Sequence, residues 1–480
     1  MKKHGKRIAI FLALLTAVSS FISCGGGTVT ETADTTPVQE TVLTETETEL
    51  SDDLPEMDYE GYAFQILSSV TSSQHAITAI NEQTGDILND AMYDRTRLVE
   101  EKYNITFMDD HLPGDAWVTN DTFTNSIMAG DSAYDLAMLL ERSAFSMTDE
   151  GYFLDFAKLE NVNLQKPYWN QNINETINLS DAVYLTYGSA QICLYDLTFV
   201  LLFNQRMITD LALENPFDLV QEGTWTFDKM YEMGNAAKQD VDGDGKWGEN
   251  DIYALEGASN SLSMNYLASA RQRTIEKNGD NIEICLLSNP LIEQIFTEVT
   301  AMCWETGYCY QKPLHVDTYF HTGQSLFADH CFYSIISLRD MEDDFGIIPF
   351  PKYTTEQKEY GVQLTAGTRT MVVPTTAAKP ELSGAVLETL HFLSYKDVMP
   401  AYYEVTLKQK VSRDSVSAQM LDLIMDSIYY DLGMTMFCDY IKDPIFTNLF
   451  KSNKNTYVST VNSKLSAIES ALADAKGGIK

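Results

Sequence analysis

From Ala63 onward the hydrophobic positions change period several times. "AFQILSS" is a short apolar run, "DILNDAMYDRTRLVEEKY" places Leu88, Met92 and Val99 on one helical face, and "NITFM" is rich in strand-forming residues. A second helix over "DTFTNSIMAG" leads into the strand "YDLAMLL". Strands that alternate with helices predict a mixed, mostly parallel α/β sheet, whose ligand crevice lies at the carboxyl ends of its strands. Glu141 and Arg142 directly follow "YDLAMLL" and so fall at such an end. There a carboxylate and a guanidinium suit sugar hydroxyls; a surface ion pair at a helix start is the other reading.

Further along, the unbroken apolar run from Phe199 to Phe203 predicts a buried strand between two halves. "DFGIIPFPK" and "VQLTAGTRTMVVP" read as strands, and "PELSGAVLETLHFLSYKD" as a helix opened by Pro380. Near the C-terminus, Val461, Leu465, Ile468 and Leu472 carry the spacing of a helix with one face on a core. No internal repeat is apparent. A chain of 480 residues exceeds one ordinary domain and suffices for two lobes with their own cores.

The start follows neither period. "MKKHGKRIAIFLALLTAVSSFISC" has a basic head, an apolar stretch broken by Thr16, Ser19 and Ser20, and small residues before Cys24. It reads as a secretory signal over residues 1–23, since the apolar run is too short to span a bilayer. "FISC" resembles a bacterial lipobox, with Phe21 where leucine is more usual, so Cys24 is expected to carry a diacylglycerol; a plain signal with a chance cysteine is the alternative. Residues 24–57, rich in Thr and acids and without Lys or Arg, predict a flexible tether. With no second long apolar run, the protein is expected to be held by its lipid on the extracellular face of the cell membrane.

Charge narrows the partners. The chain has 33 basic and 69 acidic residues, a net charge of −36. Such a surface repels phosphate backbones, which argues against nucleic acid and favours cations and neutral solutes. Among the cysteines beyond Cys24, no close pair has metal or redox spacing; mostly buried free thiols are expected, with Cys303 and Cys309 the first choice if any pair forms. G-x-S-x-G, H-E-x-x-H and the P-loop motif are absent. His315, His321 and His330, with Asp317, fit no common zinc spacing. Paired carboxylates for glycoside hydrolysis cannot be picked out among so many acids. With 26 Tyr, 22 Phe and 5 Trp, aromatic faces for stacking on sugars are plentiful, although most must be core.

One window does specify chemistry. "DVDGDGKWGEND", residues 240–251, has Asp at its first, third, fifth and twelfth places and Gly245 at the sixth. A calcium loop needs oxygens at these places and a sharp turn at the sixth. Asp240, Asp242 and Asp244, the carbonyl of Lys246, and Asp251 are the expected ligands. Asp251 stands where a bidentate Glu is usual. "TFDKMYEMGNAAK" supplies an entering helix, but "IYALEGASNS" supplies no exiting one, so a structural ion is expected rather than a sensor. The G-x-G-x-x-G formed by Gly243, Gly245 and Gly248 follows a helix and lies among aspartates, which would repel a pyrophosphate.

Lipobox, acidic tether and α/β lobe, followed by "LLFNQRMITDLALENPFDLVQEGTWTFDKMYEMGNAAKQDVDGDGKWGENDIYAL", resemble the extracellular solute-binding proteins of bacterial ABC importers, in the maltose-binding-protein-like carbohydrate group. Phe203-Asn204, Thr224-Trp225 and Asp240 to Asp251 match that family's pattern in order, and "FGIIPFPKYTTEQKEYG" and "YYEVTLKQKVSRDSVSAQMLDLIMDSIYYDLG" look like stretches of one subgroup. The resemblance implies a two-lobe, hinged type II fold, with lobe one at 58–196 and 344–399 and lobe two at 197–343 and 400–480. It implies a monomeric, non-enzymatic receptor that closes on a sugar or oligosaccharide and delivers it to a permease, with calcium bracing lobe two. By the same analogy Glu141, Arg142, Tyr187, Tyr195 and Tyr333 are candidate ligand contacts, each of which could equally be packing. Trp225 is expected beneath its helix. A surface glycoside hydrolase and a calcium-dependent adhesion module are the alternatives.

Overall fold

The computed structural model describes residues 50–69, 77, 82–114, 117–279, 281–312, 318–338, 340–403 and 415–477. The expected secretory signal, Cys24 and most of the expected tether lie outside them, as do His315 and Asp317. Eleven strands are formed among the described residues: β1 Tyr62–Ser68, β2 Ile105–His111, β3 Leu136–Leu140, β4 Phe199–Asn204, β5 Tyr253–Ala258, β6 Ile275–Asn278, β7 Asn281–Ile284, β8 Cys309–Lys312, β9 Ser325–Cys331, β10 Phe345–Ile348 and β11 Arg369–Val372.

They build two mixed sheets and one hairpin. The smaller sheet runs β11-β3-β1-β2, with β1 parallel to both β2 and β3 and β11 antiparallel to β3. In the larger sheet, β10-β4-β9-β5-β8, β5 is parallel to β8 and β9, and β4 runs antiparallel between β9 and β10. Strands β6 and β7 form the hairpin. The run Phe199–Phe203 is buried at every position because β4 lies inside its sheet with side chains covered on both faces.

The helices follow their sequence signals. Asp86 caps the helix Ile87–Tyr103 by accepting the N–H of Asn89, and Asn104 ends it in the left-handed conformation, with φ of 44°. Leu88, Met92 and Val99 are buried on its inner face. In the last helix, Tyr457–Gly477, Val461, Ile468 and Leu472 are buried and Leu465 is half-buried. Among the described residues no helix is long and apolar enough to cross a membrane.

Two chain segments pass side by side from one sheet to the other. Thr198 bridges Leu364 antiparallel; the Phe199 N–H donates to Gln363 O (2.9 Å) and the Thr365 N–H to Leu197 O (3.0 Å). This two-stranded crossing is the hinge region of a two-lobe fold.

The expected lobe limits need correction in two places. Residues from 344 do not return at once to the smaller sheet, because Phe345–Ile348 pairs with β4 as the outer strand of the larger one. The return comes after Gln363. At the other limit, the helix Met399–Tyr402 still packs on the helix Ile87–Tyr103, so the smaller-sheet lobe runs through Tyr402. The helix Ser415–Asp426 then packs on β10 in the larger lobe.

Candidate functional site

The carboxyl end of β3 sets the first group. Glu141 opens the short helix Glu141–Ser146, and its N–H donates to Thr368 O (2.9 Å). Its side chain is 1% exposed. Oε2 accepts the Tyr187 hydroxyl at 2.6 Å and also that of Thr368, while Oε1 has no hydrogen-bond partner. Burial pushes this carboxyl up to about 7, against the pull of the two hydroxyls. Tyr187 is fully buried, so it positions Glu141 from behind.

Arg369 stands opposite Leu140 in the adjacent strand β11 and therefore at the same end of the sheet. It is 6% exposed, its Nε is buried without a partner, and its guanidinium makes no hydrogen bond or ion pair among the described residues. Its charge acts on the Cys193 thiol and on the hydroxyl of Tyr333. Tyr333 follows β9 of the larger sheet and is half-buried. The Asp196 carboxylate, which accepts the Tyr402 hydroxyl at 2.8 Å, acts on the same two groups. Glu141, Arg369, Asp196 and Tyr333 thus gather beside the hinge, contributed by both lobes. A buried guanidinium and a buried carboxylate oxygen without partners are costly, and groups of this kind suit a polar solute that supplies the missing bonds.

Arg142 is placed otherwise. Its guanidinium reaches across to the larger lobe, 3.1 Å from Asp439, 3.6 Å from Asp443 and 2.8 Å from Cys438 Sγ, and lies 4.4 Å from the Trp117 ring centroid. Of the two readings open for this residue, the structure gives the ion pair. Cys438, Asp439 and Asp443 lie close enough together to hold a metal, but the guanidinium fills a cation's place there. Phe145 meets Phe437 at 4.8 Å, and Lys277 Nζ donates to the carbonyls of Glu175 and Asn178 at 2.6 Å each, so these contacts join the lobes as well.

Tyr195 is not in the hinge-side group: its ring faces Tyr402 at 6.2 Å and its hydroxyl feels Tyr395. His330 is buried between Ser334 (2.9 Å) and Lys312 (3.5 Å), and among the described residues no histidine belongs to a chelating cluster. Trp225 is buried beneath its helix and donates to Pro349 O at 3.1 Å. Sequence reasoning missed Arg369 and Trp117. The available signals were a lone arginine entering the apolar run "TMVV" and a tryptophan just beyond a strand end.

The acidic loop is closed at its base by the Gln239–Ile252 bridge. Ligand atoms of Asp240, Asp242 and Asp244 lie within 4.8 Å of one another, with no ion pair to Lys or Arg among the described residues. Gly243 and Gly245 have φ of 71° and 74°, so the chain turns where side-chain-bearing residues would be strained. Asp240 accepts the N–H groups of Gly243 and Gly245, which shapes the loop around its own carboxylates. Three like charges held this closely fit a hard cation. Asp251 does not join them: its two oxygens accept the N–H groups of Val241 (2.9 Å) and Gly248 (2.7 Å), so it braces the loop from below, a correction to its expected role. The segment after the loop is β5, consistent with the missing exit helix.

No family model matches the chain, and no curated protein matches it. Solved structures do. Maltose-bound MalE3 of T. maritima has a TM-score of 0.51 at 12% identity, over 87% of this chain and 98% of that one. The ABC substrate-binding protein Lmo0181 from Listeria monocytogenes, in complex with cycloalternan, gives 0.54 at 11%, over 86% and 99%. The GacH receptor of Streptomyces glaucescens, solved unliganded and with acarbose, gives 0.55 at 11%, over 86% and 99%. At these identities the likeness establishes the fold: the chain has the mixed α/β, two-lobe architecture of maltose-binding-protein-like solute-binding proteins.

Proposed function

We propose that this protein is the extracellular solute receptor of a bacterial ABC importer, binding a sugar or oligosaccharide between its lobes without turning it over. The observation that carries the reading is the group beside the hinge, where Glu141 Oε1 and Arg369 Nε are buried without partners and Tyr333 joins them from the other lobe. A solute that bonds both lobes at once favours the closed arrangement by its differential affinity for it. The maltose and cycloalternan bound in the structural neighbours support the solute class. Trp117, 47% exposed beside Arg142, offers an aromatic face at the edge of the cleft. Lipidation at Cys24 and docking on a permease complete the proposal, as does a calcium ion held by Asp240, Asp242 and Asp244, which would stiffen the larger lobe.

The test is thermal unfolding of the purified chain in calcium-containing buffer against a panel of oligosaccharides. A ligand at about a hundred times its Kd adds about 2.7 kcal/mol. A selective rise in Tm with the sugar recovered intact supports the receptor. Cleaved sugar would replace it with a hydrolase, and a flat panel would remove carbohydrate as the solute.

A further inference from the structure

The larger sheet turns one edge toward the hinge. Its parallel strands β5 and β9 end there, at Ala258 and Cys331, and Cys331 stands opposite Phe199, the first residue of β4 after the crossing. Ligand crevices of open α/β sheets lie outside such carboxyl ends. The chain leaving β5 is held at this edge by Asp329, which accepts the Ala258 N–H (3.0 Å) and the Ser261 hydroxyl (2.5 Å). It then enters the helix Leu262–Ser269, in which every residue is buried.

That helix lies directly against the crossing. A Cβ on Gly361 would stand 1.9 Å from Ala268 O, so only glycine lets the two backbones approach this closely. Just beyond the helix, Arg271 Nη1 donates to Tyr360 O (2.9 Å) and Arg271 O accepts the Tyr429 hydroxyl (2.9 Å), while the Tyr429 N–H donates to Val362 O (2.8 Å). The helix is thereby fixed to the hinge segment.

Asn265 occupies the middle of this helix and is 1% exposed. An amide carries an acceptor oxygen and a donor NH2 group, and here neither Oδ1 nor Nδ2 has a hydrogen-bond partner. Among the described residues it is the one side chain with both a buried donor and a buried acceptor left over. Leaving both unmet is costly, and a helix packed among apolar side chains gains nothing from an asparagine. Two further buried atoms without partners belong to the same crossing: Gln363 Oε1, and the hydroxyl of Tyr430, next to Tyr429.

Building on the receptor reading above, we propose that Asn265 is a specificity-determining residue of the larger lobe, its amide meeting two neighbouring hydroxyls of a sugar, with Nδ2 donating to one and Oδ1 accepting from the other. The donor and acceptor of an amide lie side by side, as do two hydroxyls on adjacent ring carbons. A solute lacking either hydroxyl leaves one amide group buried and unmet again, so the site rejects it.

The full chain is titrated by calorimetry with maltose, maltotriose and mannotriose, and with the monodeoxy forms of whichever binds, alongside Asn265→Leu, which keeps the volume and removes both polar groups. In the parent, two deoxy forms at adjacent carbons are expected to bind roughly tenfold to a hundredfold more weakly than the intact sugar. In Asn265→Leu the intact sugar is expected to bind at that weaker level, the same two deoxy forms to lose nothing further, and the unliganded Tm to stay at or above that of the parent. Asn265→Asp, which keeps the shape and an acceptor but not the donor, is expected to retain sensitivity at one of the two positions only, and it separates recognition from folding should the leucine variant not fold. Deoxy losses of equal size in parent and variants overturn the assignment and leave the receptor reading intact, as does a lowered Tm with unchanged affinity. If no sugar binds the parent, the carbohydrate reading falls and this inference with it.

Discussion

Glu141 is a carboxylic acid kept dry, and its titration is a stability term. Its carboxyl stands at about 7 in the folded protein, above the ordinary value of 4.5, because burial penalises the charge. A raised acid contributes stability that is complete below the unfolded value and is lost as pH climbs through the folded one. Glu141→Gln keeps an acceptor for Tyr187 and Thr368 and removes the charge. Its stability relative to the parent should therefore rise between pH 5 and pH 8, by on the order of 3 kcal/mol at most; parallel denaturation midpoints across that range would sink the assignment. Arg369 calls for the opposite experiment. Since its buried guanidinium bonds to no protein group among the described residues, Arg369→Met should raise Tm yet weaken solute binding roughly tenfold to a hundredfold, measured by calorimetry once the panel has supplied a solute. Equal affinity would remove Arg369 from the site. Glu141 was legible in the sequence because it follows an apolar strand directly. Arg369 was not, since only the pairing of β11 with β3 brings it to that strand end.

At the scale of elements, local signals were enough for the strands, the helices and the acidic loop. Periodicity, caps and turn glycines are encoded within a few residues of where they act. Strand partners are not encoded that way: "DFGIIPFPK" announces a strand, but its place beside β4 depends on contacts more than a hundred residues away. Asp251 misled for a related reason, because its place in the spacing suits a ligand while the fold directs both oxygens to backbone N–H groups. Without that fourth carboxylate, the loop depends on three. Calcium at about a hundred times its Kd should raise stability by about 2.7 kcal/mol, and the double substitution Asp242→Asn, Asp244→Asn should abolish the rise. The check is calorimetry with and without a chelator. An equal calcium response in parent and variant would place the ion elsewhere.

At the scale of the whole molecule, the contacts between lobes would set the balance between open and closed forms of the proposed receptor. The ion pairs of Arg142 with Asp439 and Asp443 involve acids that are 58% and 44% exposed, so they are worth no more than about 1 kcal/mol. Arg142→Met should shift the equilibrium toward the open form by at most about fivefold, seen as a small rise in the radius of gyration by X-ray scattering and a matching loss of solute affinity. A radius that stays fixed would mean that Phe145–Phe437 and Lys277 hold the lobes without help. The way the described chain begins has a mechanical consequence. Asp52 accepts Lys102 Nζ (2.6 Å) and the Thr389 hydroxyl (2.5 Å), and Lys166 holds Asp53 and Ser51, all on the smaller-sheet lobe. A force applied through the N-terminal stretch is therefore taken up by that lobe alone. Its partner, joined at the hinge, can swing only as the contacts of Arg142, Phe145 and Lys277 give way: one half acts as stator and the other as rotor.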